Sequence, residues 1–291
     1  MWTDIFIQIL SGVSRGMILF VVASGLTLIF GVLRIPNFAH GSFYMLAAFV
    51  AYAVTHAVGG SNLGFAASLL MAPLILGVFG LVFEFMLLRR IAGRLHLYQL
   101  IMTFAMTLII ADGIKMIWGG AYRSVGYPPL LSGSVEIFGR PFPTYYLLVI
   151  AVGLIIAGLL SLLMERTRFG RTVSAAVVDP EMVGALGVNV PRLYTLVFGL
   201  GAALAGLGGA LAAPVGSVSL GIGDSIIIES FAVVIIGGSG SIPGALAAAL
   251  IIGVVQSLGI MVAPRLAIAF VFIALCVVLL VRPQGLLGRR V

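Results

Sequence analysis

Apolar and polar positions along this chain fall into long blocks. Continuous apolar runs cover approximately residues 5–31, 38–57, 64–88, 98–118, 144–164, 194–214, 225–238, 243–262 and 266–281. A helix needs about 20 residues to cross a hydrocarbon core roughly 30 Å thick, so the pattern predicts about eight or nine membrane segments, the count turning on the short seventh run. The runs are rich in Leu, Ala and Gly without period-two alternation, which selects helices over a barrel. The expected fold is therefore all-α, a single polytopic domain over residues 1–291 with broken helices and one short helix in water. The start "MWTDIF" has no basic flank and no small-residue cleavage site follows, so the first run reads as a membrane helix rather than a removable signal.

Two stretches break the apolar pattern at membrane depth: "RIPNFAHGS", Arg34 to Ser42, and "IGGSGSIPGA", Ile236 to Ala245. Both combine Pro, Gly and small polar residues, which interrupts a helix and frees backbone groups that are tolerated only in a cavity or inside protein. Paired interruptions in two halves of a transporter point to a pathway near the midplane; tight cytoplasmic turns are the competing reading. The first reading makes Asn37, Phe38, His40, Gly41 and Ser42, with Gly237, Gly238, Ser239, Gly240 and Ser241, candidates for a substrate pathway. Gly201, Ala205, Gly209 and Ala213 repeat every four residues, as do Ala245, Ala249 and Gly253. That spacing permits close helix packing, or faces that slide during transport.

A different kind of exception is "GRTVSAAVVDPEMVGALGVNVPRLY", Gly170 to Tyr194, polar and punctuated between two apolar runs. Asp179 suits an N-cap, Pro180 the first helical position, Glu181 the positive end of the dipole, and Gly187 a left-handed stop. They frame a helix from Pro180 to Leu186, approached through Ser174, Ala175 and Ala176. Two turns are too short to be stable alone. The apolar Met182, Val183, Ala185 and Leu186 then offer one face to the chain's own membrane domain and another to a partner.

Composition narrows the class. The chain is 62% hydrophobic and 9% charged, with mean hydropathy +1.25, against roughly 25% charged in soluble domains. Its net charge of +7 is carried by arginine, Lys115 being the sole lysine. Arg89, Arg90 and Arg94, then Arg166, Arg168, Arg171 and Arg192, then Arg282, Arg289 and Arg290 mark three cytoplasmic regions, not a nucleic-acid surface. Nine crossings put the N-terminus outside, the C-terminus inside and all three clusters on one side; a re-entrant seventh segment would change one end. Residues 119–143, with four prolines, form the main outer loop. The lone Cys276 excludes disulfides and a thiolate metal cluster.

Other motifs carry less. "GGSG" at Gly237–Gly240 matches an intramembrane serine-protease signature, but no histidine follows His96 to act as base. His40, His56 and His96 lack the spacing or carboxylate companions of a metal site, so no metal and no catalytic residue is assigned. Asp112 and Lys115 can pair on one helix face. Glu84 belongs at the cytoplasmic edge; Glu229 is either a solvated interfacial acid or an intramembrane site. With no phosphate-binding glycine loop, any ATP must be bound by another chain.

"GLTLIFGVLRIPNFAHGSFYMLAAFVAYAV", "GRTVSAAVVDPEMVGALGVNVPRLYTLVFGLGAALAGLGGAL" and "VVIIGGSGSIPGALAAALIIGVV" together resemble the membrane subunits of ABC importers for branched-chain amino acids. The resemblance covers most of the chain in the family's order and spacing, with the Asn-Phe-Ala-His-Gly signature at Asn37 to Gly41 and the glycine-rich break at Gly237 to Gly244. It implies a multi-pass inner-membrane permease without enzymatic activity or cofactor of its own. Its implied partners are a second permease subunit (paralogue or identical copy), two cytoplasmic ATP-binding subunits, an extracytoplasmic substrate-binding protein and membrane lipid. The family's ATPase-coupling helix falls on Pro180 to Leu186, with Asp179 and Gly187 at its ends. Superfamily relatives move urea, short amides or sugars, so the resemblance implies mechanism more firmly than substrate. An ion-gradient-driven secondary transporter is the alternative reading, and the serine protease a distant third.

Overall fold

The computed structural model describes residues 2–33, 35–282 and 284–287; Arg34 of the first break and Arg289 and Arg290 of the last basic cluster lie outside them. The chain is 79% helical. Its helices are α1 (Trp2–Leu33), α2 (Ala39–Ala57), α3 (Asn62–Phe83), α4 (Arg89–Ile91), α5 (His96–Trp118), α6 (Thr144–Arg166), α7 (Arg168–Val178), α8 (Pro180–Ala185), α9 (Val190–Ala212), α10 (Ile222–Gly237), α11 (Ile242–Val262) and α12 (Ala267–Val281). All nine apolar runs are helical. Six helical stretches among the described residues have the length and composition to cross a membrane: α1, α3 with its continuation to Ile91, α5, α6, α9 and α11. The shorter α2, α10 and α12 have 19, 16 and 15 residues.

The bundle is organised around α1, whose most apolar window is 89% buried, against 17% for that of α6 and 22% for that of α5. Small residues make this possible. A Cβ built on Gly12 would stand 2.7 Å from the Val254 Cα, and one on Gly16 2.8 Å from the Ala249 carbonyl oxygen, so α1 and α11 meet backbone to backbone. Gly201 and Gly25 bring α9 equally close to α1, while Gly206 seats α9 on Pro73 of α3. Gly201, Gly209, Ala245, Ala249 and Gly253 of the two small-residue rows thus lie on packed faces.

One end of the bundle collects the start of α1, the loop after α2 and the segment before α10. Asn62 accepts from the Leu130 amide at 2.9 Å, and Arg123 and Val218 exchange backbone hydrogen bonds. Within the proline-rich loop, β1 (Ser134–Ile137) and β2 (Arg140–Pro143) form an antiparallel hairpin that the sequence pattern did not announce. Its two-residue turn, Phe138 and Gly139, has positive φ at both positions, matching the twist of paired strands. Arg140 pairs with Asp4 at 2.8 Å and Phe138 packs edge-on to Phe6, fastening the hairpin to α1. The opposite end gathers Arg89, Arg90, Arg94, Arg166, Arg168, Arg171 and Arg192, which makes it the cytoplasmic end.

Two local readings need correction. The run expected to continue smoothly to residue 88 passes into a π-helical turn at Glu84–Leu88. Its Glu84, expected at the cytoplasmic edge, is 3% exposed and accepts a hydrogen bond from the Thr195 hydroxyl on α9. The approach to the short water-side helix is itself a helix, α7, N-capped by Thr167 accepting from the Gly170 amide at 3.1 Å. Asp112 and Lys115 are not among the ion pairs of the described residues, which join Arg15 to Glu229 and Arg140 to Asp4.

Candidate functional site

The first break turns the chain back into the bundle. His40, in the first turn of α2, places Nε2 2.9 Å from the Val22 carbonyl oxygen, and Val22 lies about 16 Å up the α1 axis from Leu33. α2 therefore begins inside the bundle. Asn37, His40 and Ser42 are 2%, 0% and 2% exposed; Gly41 is buried and Phe38 half-buried. Both side-chain polar atoms of Asn37 and Nδ1 of His40 have no hydrogen-bond partner among the described residues. Asn37 also borders a cavity of about 310 Å³ toward the cytoplasmic end, with Glu84, Gln99, Thr103, Tyr194 and Phe198.

The second break is a turn at the cytoplasmic end of the α10–α11 hairpin. Gly237 and Gly238 are buried, Ser239 and Gly240 exposed, and Ser241 half-buried. The Ser241 hydroxyl accepts from the Gly244 amide at 3.1 Å, capping α11. The carbonyls left over at the end of α10 are taken by the chain's last described residues: Leu286 donates to Ile236 at 2.7 Å and Leu287 to Gly237 at 3.2 Å. The structure brings Asn37 to Ser42 against α10 at Gly223, Ile227 and Phe231, not against residues 237–241. The near approach between the two regions is Gly31 to Gly240.

Sequence reasoning passed over the partners of Glu229. Its side chain is 13% exposed, and Oε1 accepts from Arg15 Nη2 at 3.2 Å and from Gln256 Nε2 at 3.1 Å. Glu229 is thus a largely buried acid tied to α1 and α11. The signal was present: Arg15 is the only charged residue in the run 5–31 and Glu229 the only one in the run 225–238, and a lone base and a lone acid in two apolar runs are complementary. The pair borders a cavity of about 190 Å³ between α1, α2, residues 212–218 and α10.

The water-side helix α8 is closed at both ends. Asp179 Oδ1 accepts from the Met182 amide at 2.9 Å. At the other end Val188 donates to Val183 at 3.3 Å and Gly187 to Gly184 at 3.0 Å, the paired bonds of a Schellman stop, with Gly187 at φ +88°. The helix ends at Ala185, with Leu186 as its C-cap, one residue short of the expected bound. Val183 is buried, while Val178, Met182 and Leu186 are 75%, 59% and 78% exposed. Pro180, Glu181 and Ala185 are exposed as well.

Residues 8–281 match the family described as "Branched-chain amino acid transport system / permease component". The chain belongs to that family. It is 30% identical to the high-affinity branched-chain amino acid transport system permease protein LivH of Salmonella typhimurium, over 97% of this chain and 95% of that one. It is 28% identical to BraD, the permease protein of the same description from Pseudomonas aeruginosa, and 29% identical to LivH of Escherichia coli, with the same two coverages. No solved structure matches. As a member of this permease family the chain is a non-enzymatic, multi-pass inner-membrane subunit.

Proposed function

We propose that this permease forms half of the translocation path of an ATP-driven importer for branched-chain amino acids. It pairs with a second permease subunit, receives solute from an extracytoplasmic binding protein, and alternates access as two cytoplasmic ATPases close and open. All nine apolar helices cross, α2, α10 and α12 completing their spans with flanking non-helical residues. The substrate class comes from the names of the relatives, which align end to end. The single observation that supports coupling is α8. It is too short to persist alone, is capped at both ends, is anchored by Val183, and turns Val178, Met182 and Leu186 to water at the cytoplasmic end.

Replacing residues 180–186 by a Gly/Ser linker tests this. The variant should still insert and pair with its permease partner, yet lose its ATPase on purification and lose ATP-driven leucine uptake in proteoliposomes. A linker variant that retains the ATPase and transports at the wild-type rate would show α8 to be only a loop. Uptake by the wild-type complex sustained by an ion gradient without ATP would favour a secondary transporter instead.

A further inference from the structure

The feature that the permease assignment leaves unused is the Arg15–Glu229 pair and the cavity beside it. Arg15 lies about 20 Å from the outer end of α1, well inside the span of a hydrocarbon core. A guanidinium at that depth is costly and does not face lipid, yet the Arg15 side chain is 45% exposed. Arg15 lines the cavity between α1, α2 and α10. The pair is also under-used as a structural bridge. Of the five guanidinium donors, Nη2 makes the one contact recorded among the described residues. Both bonds to Glu229 fall on Oε1, leaving Oε2 with no partner there. Gln256 Oε1 is buried and has no partner either.

The rest of the lining is mainly apolar, with Ile18, Leu19, Ile222 and Ile226 as walls, Tyr44 as a further polar side chain and Ser217 at its edge. Its volume of about 190 Å³ falls below the roughly 300–1,000 Å³ of sites for drug-sized ligands and suits a solute smaller than those. A fixed cation and a fixed anion 3.2 Å apart, beside branched aliphatic walls, have the complementarity a free amino acid requires. We infer that this cavity is a solute site on the outer half of the path. Arg15 takes the α-carboxylate in a forked charge-assisted contact, Glu229 takes the α-ammonium, and the aliphatic side chain lies against Ile18, Ile222 and Ile226. In the absence of solute the two charges neutralise each other, which lowers the cost of holding them in the membrane. This deepens the proposed function and rests on it for the aliphatic part of the substrate.

The probe is a cysteine at the cavity edge, Ser217→Cys in a Cys276→Ala background, in the assembled importer without its binding protein. A small hydrophilic thiol reagent should modify it, and leucine near saturation should slow modification by about tenfold, equivalent to roughly 1.4 kcal/mol of protection. Leucinamide and 4-methylpentanoate, each lacking one charge, should not protect, and Glu229→Gln or Arg15→Gln should abolish protection by leucine. Equal rates with and without leucine overturn the site. So does restoration of uptake by the exchange Arg15→Glu with Glu229→Arg, which returns a structural bridge but reverses the charges seen by the solute. Glycine distinguishes the two levels of the argument. Protection by glycine and leucine in a complex that takes up no branched-chain amino acid would keep the zwitterion site and refute the transport assignment.

Discussion

The two helix breaks share proline, glycine and small polar residues but have opposite surroundings. Residues 35–41 carry Pro36, Asn37, His40 and Gly41 into the bundle, where polar atoms are buried and in part unpartnered. Residues 237–241 carry two serines and three glycines around a turn at the bundle end, where Ser241 caps a helix and the last residues take up the free carbonyls. Pro and Gly state that a helix stops; they do not state how deep. Depth is decided by where the next helix packs. α2 starts beside Val22, the middle of α1, whereas α11 starts beside the end of α1, near Gly31. An interruption whose polar groups are buried without partners is the costly kind, and the kind that a pathway can use.

The largest expected effect separates the breaks through their glycines. A methyl at Gly41 would overlap the Gly223 carbonyl and stand 2.8 Å from Ile227 Cβ, so α2 and α10 would have to part. Gly41→Ala should cost about 3 kcal/mol as an overpacked contact. Gly240 has φ +77° but open space, its nearest contact being Gly31 Cα at 3.7 Å, so Gly240→Ala should cost only the roughly 1–2 kcal/mol of a left-handed residue. Thermal unfolding of the purified complex in detergent measures both, and an equal loss would remove the distinction of depth.

The same contrast shows what the sequence could carry. The nine apolar blocks became helices with ends within a few residues of those expected, because long apolar runs leave the backbone no other way to satisfy itself in lipid. The α8 caps at Asp179 and Gly187 were legible because capping is local, within five residues. The depth of Asn37 and His40 was not, since it depends on α1 and α10, far away in the chain. The Arg15–Glu229 pair spans 214 positions and shows only when two distant single charges are considered together. The Phe138–Gly139 hairpin stayed hidden for a third reason: the prolines of the loop mask short strands.

Access to reagent is the next difference in size. In a Cys276→Ala background, Ser239→Cys is on an exposed turn and should label rapidly both with and without ATP. Asn37→Cys is 2% exposed in this conformation and should label at least about tenfold more slowly here, a gap equivalent to roughly 1.4 kcal/mol of opening. It should speed up in the other nucleotide state if the first break lines the path. Asn37→Cys inert in every state would reduce that break to packing; Asn37→Cys as fast as Ser239→Cys would contradict its burial.

The smallest effect tests the second break as a turn. Ser241 contributes to α11 by accepting the Gly244 amide, one of the free donors at a helix start. Ser241→Ala should therefore cost about 1 kcal/mol, and Ser241→Asp, which keeps an acceptor, almost nothing. Because this site is half-buried at the cytoplasmic end, a capping role alone leaves ATP-driven uptake per folded complex unchanged in both variants. Thermal unfolding and uptake, measured on the same preparations, separate the outcomes. A normal unfolding temperature with uptake lost in Ser241→Ala would mean that the hydroxyl touches the moving solute. The second break would then belong to the path, despite lying at the end of the bundle.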